Sequence, residues 1–216
     1  MRPIISFVGK SDSGKTTILE KLIAELKRRG YAVVTVKHTG EEIELDKAGK
    51  NSWRFTQAGS DVVAVSTKNQ LAIIRPTDHD LSPQEIARTL RWDYDIMLTE
   101  GFKSARTDKI EVHVKAQGEE LLTPKQQLLA LVTDDPIDIN VPQFSRNDIG
   151  KIADLVENKI KAQEKWTDLE LFINGAYVPM KQPAKDRMTS MILAMASNLD
   201  ETDEIKSLDI SLRRRV

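Results

Sequence analysis

Pro3-Ile4-Ile5-Ser6-Phe7-Val8, then Gly9-Lys10-Ser11-Asp12-Ser13-Gly14-Lys15-Thr16, then the amphipathic stretch from Thr17 to Arg29, is the segment that decides the fold. An apolar run passing through a glycine-bounded loop into helical periodicity predicts a strand, a phosphate-binding loop (P-loop) and a helix. That order gathers several backbone N–H groups around one anion, with the positive end of the helix dipole behind them. Gly9 and Gly14 permit the tight backbone, and Lys10, Ser11, Asp12 and Ser13 form the cradle between them. Lys15 reaches the β- and γ-phosphates, and the Thr16 hydroxyl is a Mg²⁺ ligand. Thr17 belongs to the same predicted site. The segment therefore predicts a nucleoside triphosphate and Mg²⁺.

Working outward, apolar runs alternate with helical segments through residue ~162, which predicts an α/β P-loop domain whose mainly parallel sheet is flanked by helices. Gly30 ends the first helix, and Tyr31 to Val36 is the next strand. A polar stretch from Lys37 to Lys50 precedes a short helix over Asn51 to Ala58. Asp61 to Ser66 and Leu71 to Arg75 are further strands, and Ser82-Pro83-Gln84-Glu85 is a capping box opening a helix to about Arg91. Strands follow at Asp95 to Thr99, Ile110 to Lys115 and Gln127 to Thr133, and Ser145-Arg146-Asn147-Asp148 caps a closing helix to about Ala162. Beyond a linker at Lys161 to Lys165 the pattern changes. Alternation around Asn174-Gly175 marks a hairpin, Arg187 to Asn198 a helix, and Ile205 to Leu212 a strand. The expected organisation is a nucleotide domain over 1–163 and a small ββαβ module over 164–216, which serves dimer or partner contact. Met188, Met191 and Met195 share one helix face and are expected to pack in a core.

Ligands of open α/β sheets collect at the carboxyl ends of strands. Glu100-Gly101 stands at such an end: the acid can hold Mg²⁺ or orient a water, and the glycine lets the backbone approach a γ-phosphate. Asp95 lies at the opposite end of its strand and reads as a solvated start. Asp46, in the polar loop after the second strand, suits a segment that senses Mg²⁺ and the γ-phosphate, although a solvated loop has the same composition. Asp134, after the last strand, either accepts guanine N1–H and N2–H₂ or forms a plain Asp-Pro turn; both remain open. His38 has no second histidine beside it and is not expected to ligate metal.

These segments together resemble one family, the molybdopterin-guanine dinucleotide biosynthesis adaptor protein B (MobB) family of P-loop GTPases. The resemblance rests on the P-loop, Val36-Lys37-His38-Thr39, Asp46-Lys47-Ala48-Gly49-Lys50-Asn51-Ser52, Arg54, Ala58-Gly59, Glu100-Gly101-Phe102-Lys103 and Lys109-Ile110-Glu111-Val112. It covers residues 1 to ~162. It implies a SIMIBI-class fold that binds GTP with Mg²⁺, hydrolyses it weakly, forms a homodimer, and assists a separate nucleotidyltransferase (MobA) in attaching GMP to molybdopterin. By position, Gly14, Lys15 and Thr16 hold phosphates and Mg²⁺, with Asp46 and Glu100 as acidic partners and Lys15 and Glu100 as catalytic groups. Gly40-Glu41-Glu42 stands where the family often has histidines, and Ala48 and Asn51 replace its usual proline and aspartate.

Composition narrows the alternatives. The 216 residues carry a formal net charge of −1, which gives no reason to expect nucleic acid or an acidic membrane as partner. Arg213-Arg214-Arg215 reads as a solvated terminus. No cysteine occurs, which excludes disulfides, thiolate metal sites and a cysteine nucleophile. That argues against a nickel-inserting metallochaperone GTPase, and scattered arginines argue against a small-molecule kinase with an arginine-rich lid. No apolar run approaches the ~20 residues of a membrane span, and no signal-peptide layout precedes the first strand. A cytoplasmic location is expected.

Overall fold

The computed structural model describes residues 2–40, 44, 46–90, 93–163, 169, 171–173, 176–178 and 180–197. The chain divides into two compact units, Arg2–Gln163 and, apart from Met1, Glu164–Val216.

In the first unit, β1 (Ile4–Val8) leads through the P-loop into α1 (Lys15–Arg28), β2 (Val33–Lys37) and α2 (Asn51–Gln57). Strands β3 (Val63–Ser66) and β4 (Leu71–Ile74) follow, then α3 (Pro83–Thr89), β5 (Ile96–Glu100) and β6 (Asp108–Val112). The unit closes with β7 (Leu128–Val132), β8 (Gln143–Phe144) and α4 (Ile149–Gln163). Six strands pair in the order β2-β5-β1-β6-β7-β8, every pair parallel. The parallel α/β sheet read from the alternating pattern is present, and β1 lies inside it with the P-loop at its carboxyl end.

The sheet's two faces differ in chemistry. Ile5, Phe7, Ile96, Leu98, Ile110, Val112, Ala130 and Val132 form one apolar cluster with Ile18, Leu22 and Leu26 of α1 and Ile152, Val156 and Ile160 of α4. The alternate positions on the other face include Ser6, Thr99, Lys109 and Glu111, which are polar and almost wholly buried. A hydroxyl chain crosses the strands there: Thr99 Oγ1 donates to Ser6 Oγ at 2.9 Å, and Ser6 Oγ lies 2.7 Å from Thr107 Oγ1. Glu111 accepts from the N–H groups of Leu122 and Thr123 at 2.8 and 2.9 Å, and Lys109 Nζ donates to the Ala105 carbonyl and Gln127 Oε1. Burial without those bonds would be costly. The polar face thus fastens the loops that follow β5 and β6.

Three sequence expectations shift. The β3 and β4 strands form their own antiparallel hairpin outside the main sheet. Thr67 closes it, its hydroxyl accepting from the Gln70 N–H at 3.0 Å. The main sheet gains instead β8, whose two residues are too few for any periodicity to reveal. Asp95 is no idle strand start, because its Oδ2 accepts from the Ala32 N–H at 2.7 Å just ahead of β2.

In the second unit β9 (Leu171–Ile173) and β10 (Ala176–Val178) pair antiparallel, and α5 spans Gln182–Ala196 with Pro183 in its first turn. The helix begins five residues before the sequence expectation of Arg187 because proline fits a first turn, where its missing N–H is not required. Met191 and Met195 are 66% and 69% exposed, so they do not pack in a core as expected. Helical spacing locates an apolar stripe but not what covers it. The strand expected at Ile205 to Leu212 and the turn at Asn174-Gly175 lie outside the described residues. No helix among the described residues is long and apolar enough to cross a membrane.

Arg29 joins the end of α1 to α4. Its guanidinium donates to Glu25 at 2.8 Å, Asp154 at 2.7 Å and Glu157 at 2.6 Å, and Tyr31 Oη donates to Glu157 at 3.0 Å. Hydrogen bonds from Arg28 and Arg29 hold Glu25 at about 2, below its ordinary 4.5, and bonds from Lys161, Arg29 and Tyr31 hold Glu157 at about 2. Depressed carboxylates stabilise the fold above their unfolded pKa and cease to do so as pH falls through the folded one. The melting temperature is expected to drop as pH falls from 4.5 to about 2. In an Arg29→Met variant, thermal scans across that window should show a shallower decline.

Candidate functional site

The P-loop backbone is built as its sequence requires. Gly9 could not be any other residue, since a Cβ there would lie 2.5 Å from the Val112 carbonyl and 2.7 Å from Ser13 Oγ. Asp12 takes a left-handed φ of 56°, and Gly14, at φ 90°, caps α1, turning the helix N-terminus toward the loop. Lys15 Nζ donates to the Lys10 carbonyl at 2.6 Å. Lys10 Nζ donates to the Gln117 carbonyl, and Gln117 Nε2 donates back to the Ser11 carbonyl at 2.9 Å. Residues 115–118 therefore brace the loop from the side. Thr17, the residue after Thr16, is exposed on the first turn of α1.

Strand register brings Glu100 to the same place. Phe7, two residues before Gly9, pairs with Glu100 of β5. Thr16 Oγ1 then donates to Glu100 Oε2 at 2.8 Å, while Lys37 Nζ lies 3.8 Å from Glu100 Oε1. A hydroxyl and a carboxylate oxygen in contact form the donor pair that a hard divalent cation takes, so these residues fit Mg²⁺. Gly101 follows with its N–H on the Phe7 carbonyl at 3.0 Å, and a Cβ there would fall 2.7 Å from the His38 carbonyl. His38 stacks on Phe102, ring centroids 4.2 Å apart, and its Nε2 lies 3.0 Å from the carboxylate oxygens of Asp80. The two strand ends on this side of the P-loop are thereby locked to each other.

The remaining predicted residues separate. Asp46 accepts from Ser52 Oγ at 2.9 Å, and among the described residues it contacts neither Thr16 nor Glu100 by hydrogen bond. Its other oxygen is buried with no hydrogen-bond partner. Asp134 lies just past β7 and meets Arg146, just past β8: the Arg146 N–H donates to Oδ1 at 3.4 Å, and Nε lies 3.1 Å from Oδ2. Sequence reasoning missed Arg146, because Ser145-Arg146-Asn147-Asp148 was legible only as a helix cap and β8 was too short to mark a strand end. It also missed Gln117, whose brace depends on a loop with no periodic signal.

The site's electrostatics favour an anion. Burial lowers the Lys15 pKa below 10.5, and the charges of Lys103 and Lys37 push the same way against Glu100 and Asp12. The arrangement can therefore grip a polyphosphate by backbone N–H groups and ammonium groups, with oxygen ligands for a cation beside them.

Residues 4–134 match the model of the family described as Molybdopterin guanine dinucleotide synthesis protein B, MobB. This chain belongs to the MobB family. A Molybdopterin-guanine dinucleotide biosynthesis adapter protein from Haemophilus influenzae is 38% identical over 160 residues, covering 72% of this chain and 88% of the relative. A putative adapter protein of the same description from Methanocaldococcus jannaschii is 24% identical over 233 residues, covering 97% of each chain. The crystal structure of Bacillus subtilis MobB superposes with a TM-score of 0.60 at 29% identity, covering 73% of this chain and 97% of that one. The matched residues span β1 to β7, the P-loop and Glu100, and the P-loop fold of the MobB family implies nucleotide binding.

A polyanion placed among Lys15, Lys37 and Lys103 favours the charged form of Lys15 and raises its lowered pKa. Nucleotide binding on the alkaline side of neutrality is therefore expected to take up protons. Calorimetry at alkaline pH in two buffers of different ionisation enthalpy measures that uptake, and binding with no proton uptake there would contradict it.

Proposed function

We propose that this chain binds GTP with Mg²⁺, hydrolyses it slowly, and works in molybdopterin-guanine dinucleotide biosynthesis as the accessory of a MobA-like guanylyltransferase that attaches GMP to molybdopterin. The observation that carries the reading is the contact of Thr16 with Glu100 beside a complete P-loop. In this reading Gly9, Lys10, Ser11, Asp12, Ser13, Gly14, Lys15, Thr16 and Thr17 hold the phosphates. Thr16 and Glu100 hold Mg²⁺, with Asp46 as a further acidic partner; its unpartnered buried oxygen supports that role. Mg²⁺ supplies neutralisation of charge on the phosphoryl oxygens. Glu100 orients the attacking water, Gly101 lets the backbone approach the γ-phosphate, and Lys15 stabilises charge developing there.

An arginine finger contributes a rate factor of roughly 10³–10⁵ where one is supplied. The sequence offers none that can be assigned to the γ-phosphate, which supports slow turnover. The names of the relatives support an auxiliary place in the pathway rather than the transfer itself. A cysteine-free chain suits a reducing cytoplasm. The nucleotide domain is read as residues 1–163 and the contact module as 164–216, in which exposed Met191 and Met195 suit an adaptable partner surface.

A homodimer is supported by apolar surface outside the main sheet. Leu71 and Ile73 of β4, on one face of the β3–β4 hairpin, are 54% and 57% exposed, and Phe55 of α2 is 59% exposed. A two-stranded sheet also leaves its edges open to pairing.

Calorimetry tests the nucleotide reading. Lys15→Ala is expected to reduce GTP affinity by at least ~100-fold, from loss of a charge-assisted phosphate contact. Retained tight binding would remove the site assignment, and copurification with adenine nucleotide and an unrelated partner would remove the pathway. For the dimer, sedimentation of an Ile73→Asp variant should show monomer where the parent chain shows dimer, with GTP affinity unchanged.

A further inference from the structure

Asp134 is the residue the sequence offers for reading guanine, yet its carboxylate is already engaged. Arg146 faces both of its oxygens, through a backbone N–H at 3.4 Å from Oδ1 and through Nε at 3.1 Å from Oδ2. The second contact is an ion pair without hydrogen-bond alignment, so it positions the guanidinium rather than saturating it. From this anchor the side chain extends to the P-loop. Its Nη1 lies 3.1 Å from the point where a Cβ of Gly14 would be. Arg146 thus stands between the ends of β7 and β8, where Asp134 and Arg146 emerge, and the phosphate loop.

We propose that Arg146 is the residue that selects guanine, its guanidinium donating to O6 and N7 of the base, and that Asp134 acts as a positioning residue that aims it. The inference rests on the GTP reading above and names the group that enforces it. The chemistry is asymmetric. Guanine presents two acceptors, O6 and N7, to a planar fork of N–H donors, whereas adenine presents N7 and a donating amino group. A guanidinium in that place attracts one base and leaves an N–H facing an N–H with the other. The phosphates have their own donors in Lys15, the P-loop amides and the nearby Lys37 and Lys103. With those donors in place and its Nε anchored beside Asp134, the guanidinium is available to the base. Gly14 bears no side chain, which leaves room for Arg146 at the loop.

Titration calorimetry with GTP, ATP, ITP and 7-deaza-GTP, each with Mg²⁺, decides the matter for the full chain and for Arg146→Ala, Arg146→Lys and Asp134→Asn. In the parent chain ITP, which keeps O6 and N7 but lacks the 2-amino group, is expected to bind like GTP, and 7-deaza-GTP more weakly. Arg146→Ala should weaken GTP and ITP by roughly tenfold to a hundredfold, the worth of a bidentate base contact, with ATP changed by less than about threefold. Arg146→Lys should keep the charge and still lose the discrimination, because it lacks the fork. Asp134→Asn should lower the GTP-to-ATP ratio with a smaller loss. Thermal scans of each variant separate these effects from unfolding; Arg146 and Asp134 side chains are 36% and 61% exposed, so their replacement leaves no buried charge.

An equal loss of affinity for all four nucleotides in Arg146→Ala would make the residue a phosphate ligand and overturn the inference while leaving GTP binding in place. Weak ITP binding with an unchanged GTP-to-ATP ratio in Arg146→Ala would return base reading to Asp134 and overturn it also. A parent chain that binds GTP and ATP alike would remove the guanine reading itself, and the inference with it.

Discussion

The register of β1 against β5 is the constraint on which the site depends. Phe7 opposite Glu100 sets the acid level with the start of the P-loop, and the first turn of α1 then delivers Thr16 to its carboxylate. A slip of one residue would turn Phe7, wholly buried against α1 and α4, to the polar face and carry Ser6 into the apolar cluster. Hydrophobic burial on one side of the sheet therefore fixes the chemistry at its end. The core holds the acid and hydroxyl of the site at hydrogen-bond distance, which loops alone would not do.

The other face of the sheet meets a different requirement. Parallel sheets are commonly apolar on both sides, but here Ser6, Thr99, Lys109 and Glu111 are buried among hydroxyls, carbonyls and loop amides. Apart from the Thr99–Ser6 bond, which joins two strands, each bond runs from a rigid strand to a connecting segment, 105–107 beyond β5 or 122–127 beyond β6. Directional bonds of this kind fix a loop's position in a way that apolar contact does not.

How much of this could be read from the chain varied with the range of the interaction. The P-loop, α1 and the capping box at Ser82 follow from local chemistry, and the structure has all three, including the reciprocal bonds of Ser82 and Glu85. Glu100 was legible because an acid and a glycine ending an apolar run is a local pattern too. The β3–β4 hairpin was legible as strands but not as a separate sheet, since alternation records a face and not a partner strand. Arg146 and Gln117 were not legible at all. Their roles depend on contacts made across 12 residues to Asp134 and 106 residues to Ser11, which no local pattern records. The methionines of α5 show the converse: a clear stripe in sequence, with two of its members exposed.

The brace between Gln117 and the P-loop has a thermodynamic consequence. Lys10 and Ser11 are bonded to a single turn that lies after β6, far along the chain from the loop it supports. If the braced loop is the form able to receive phosphates, the measured dissociation constant equals the intrinsic one divided by the fraction of molecules in which the brace is made. Grip on the nucleotide is then not a property of the glycine loop alone. In that case the segment from Val114 to Gly118 holds a share of it through the loop it braces, and a change in how often the brace is made changes nucleotide affinity.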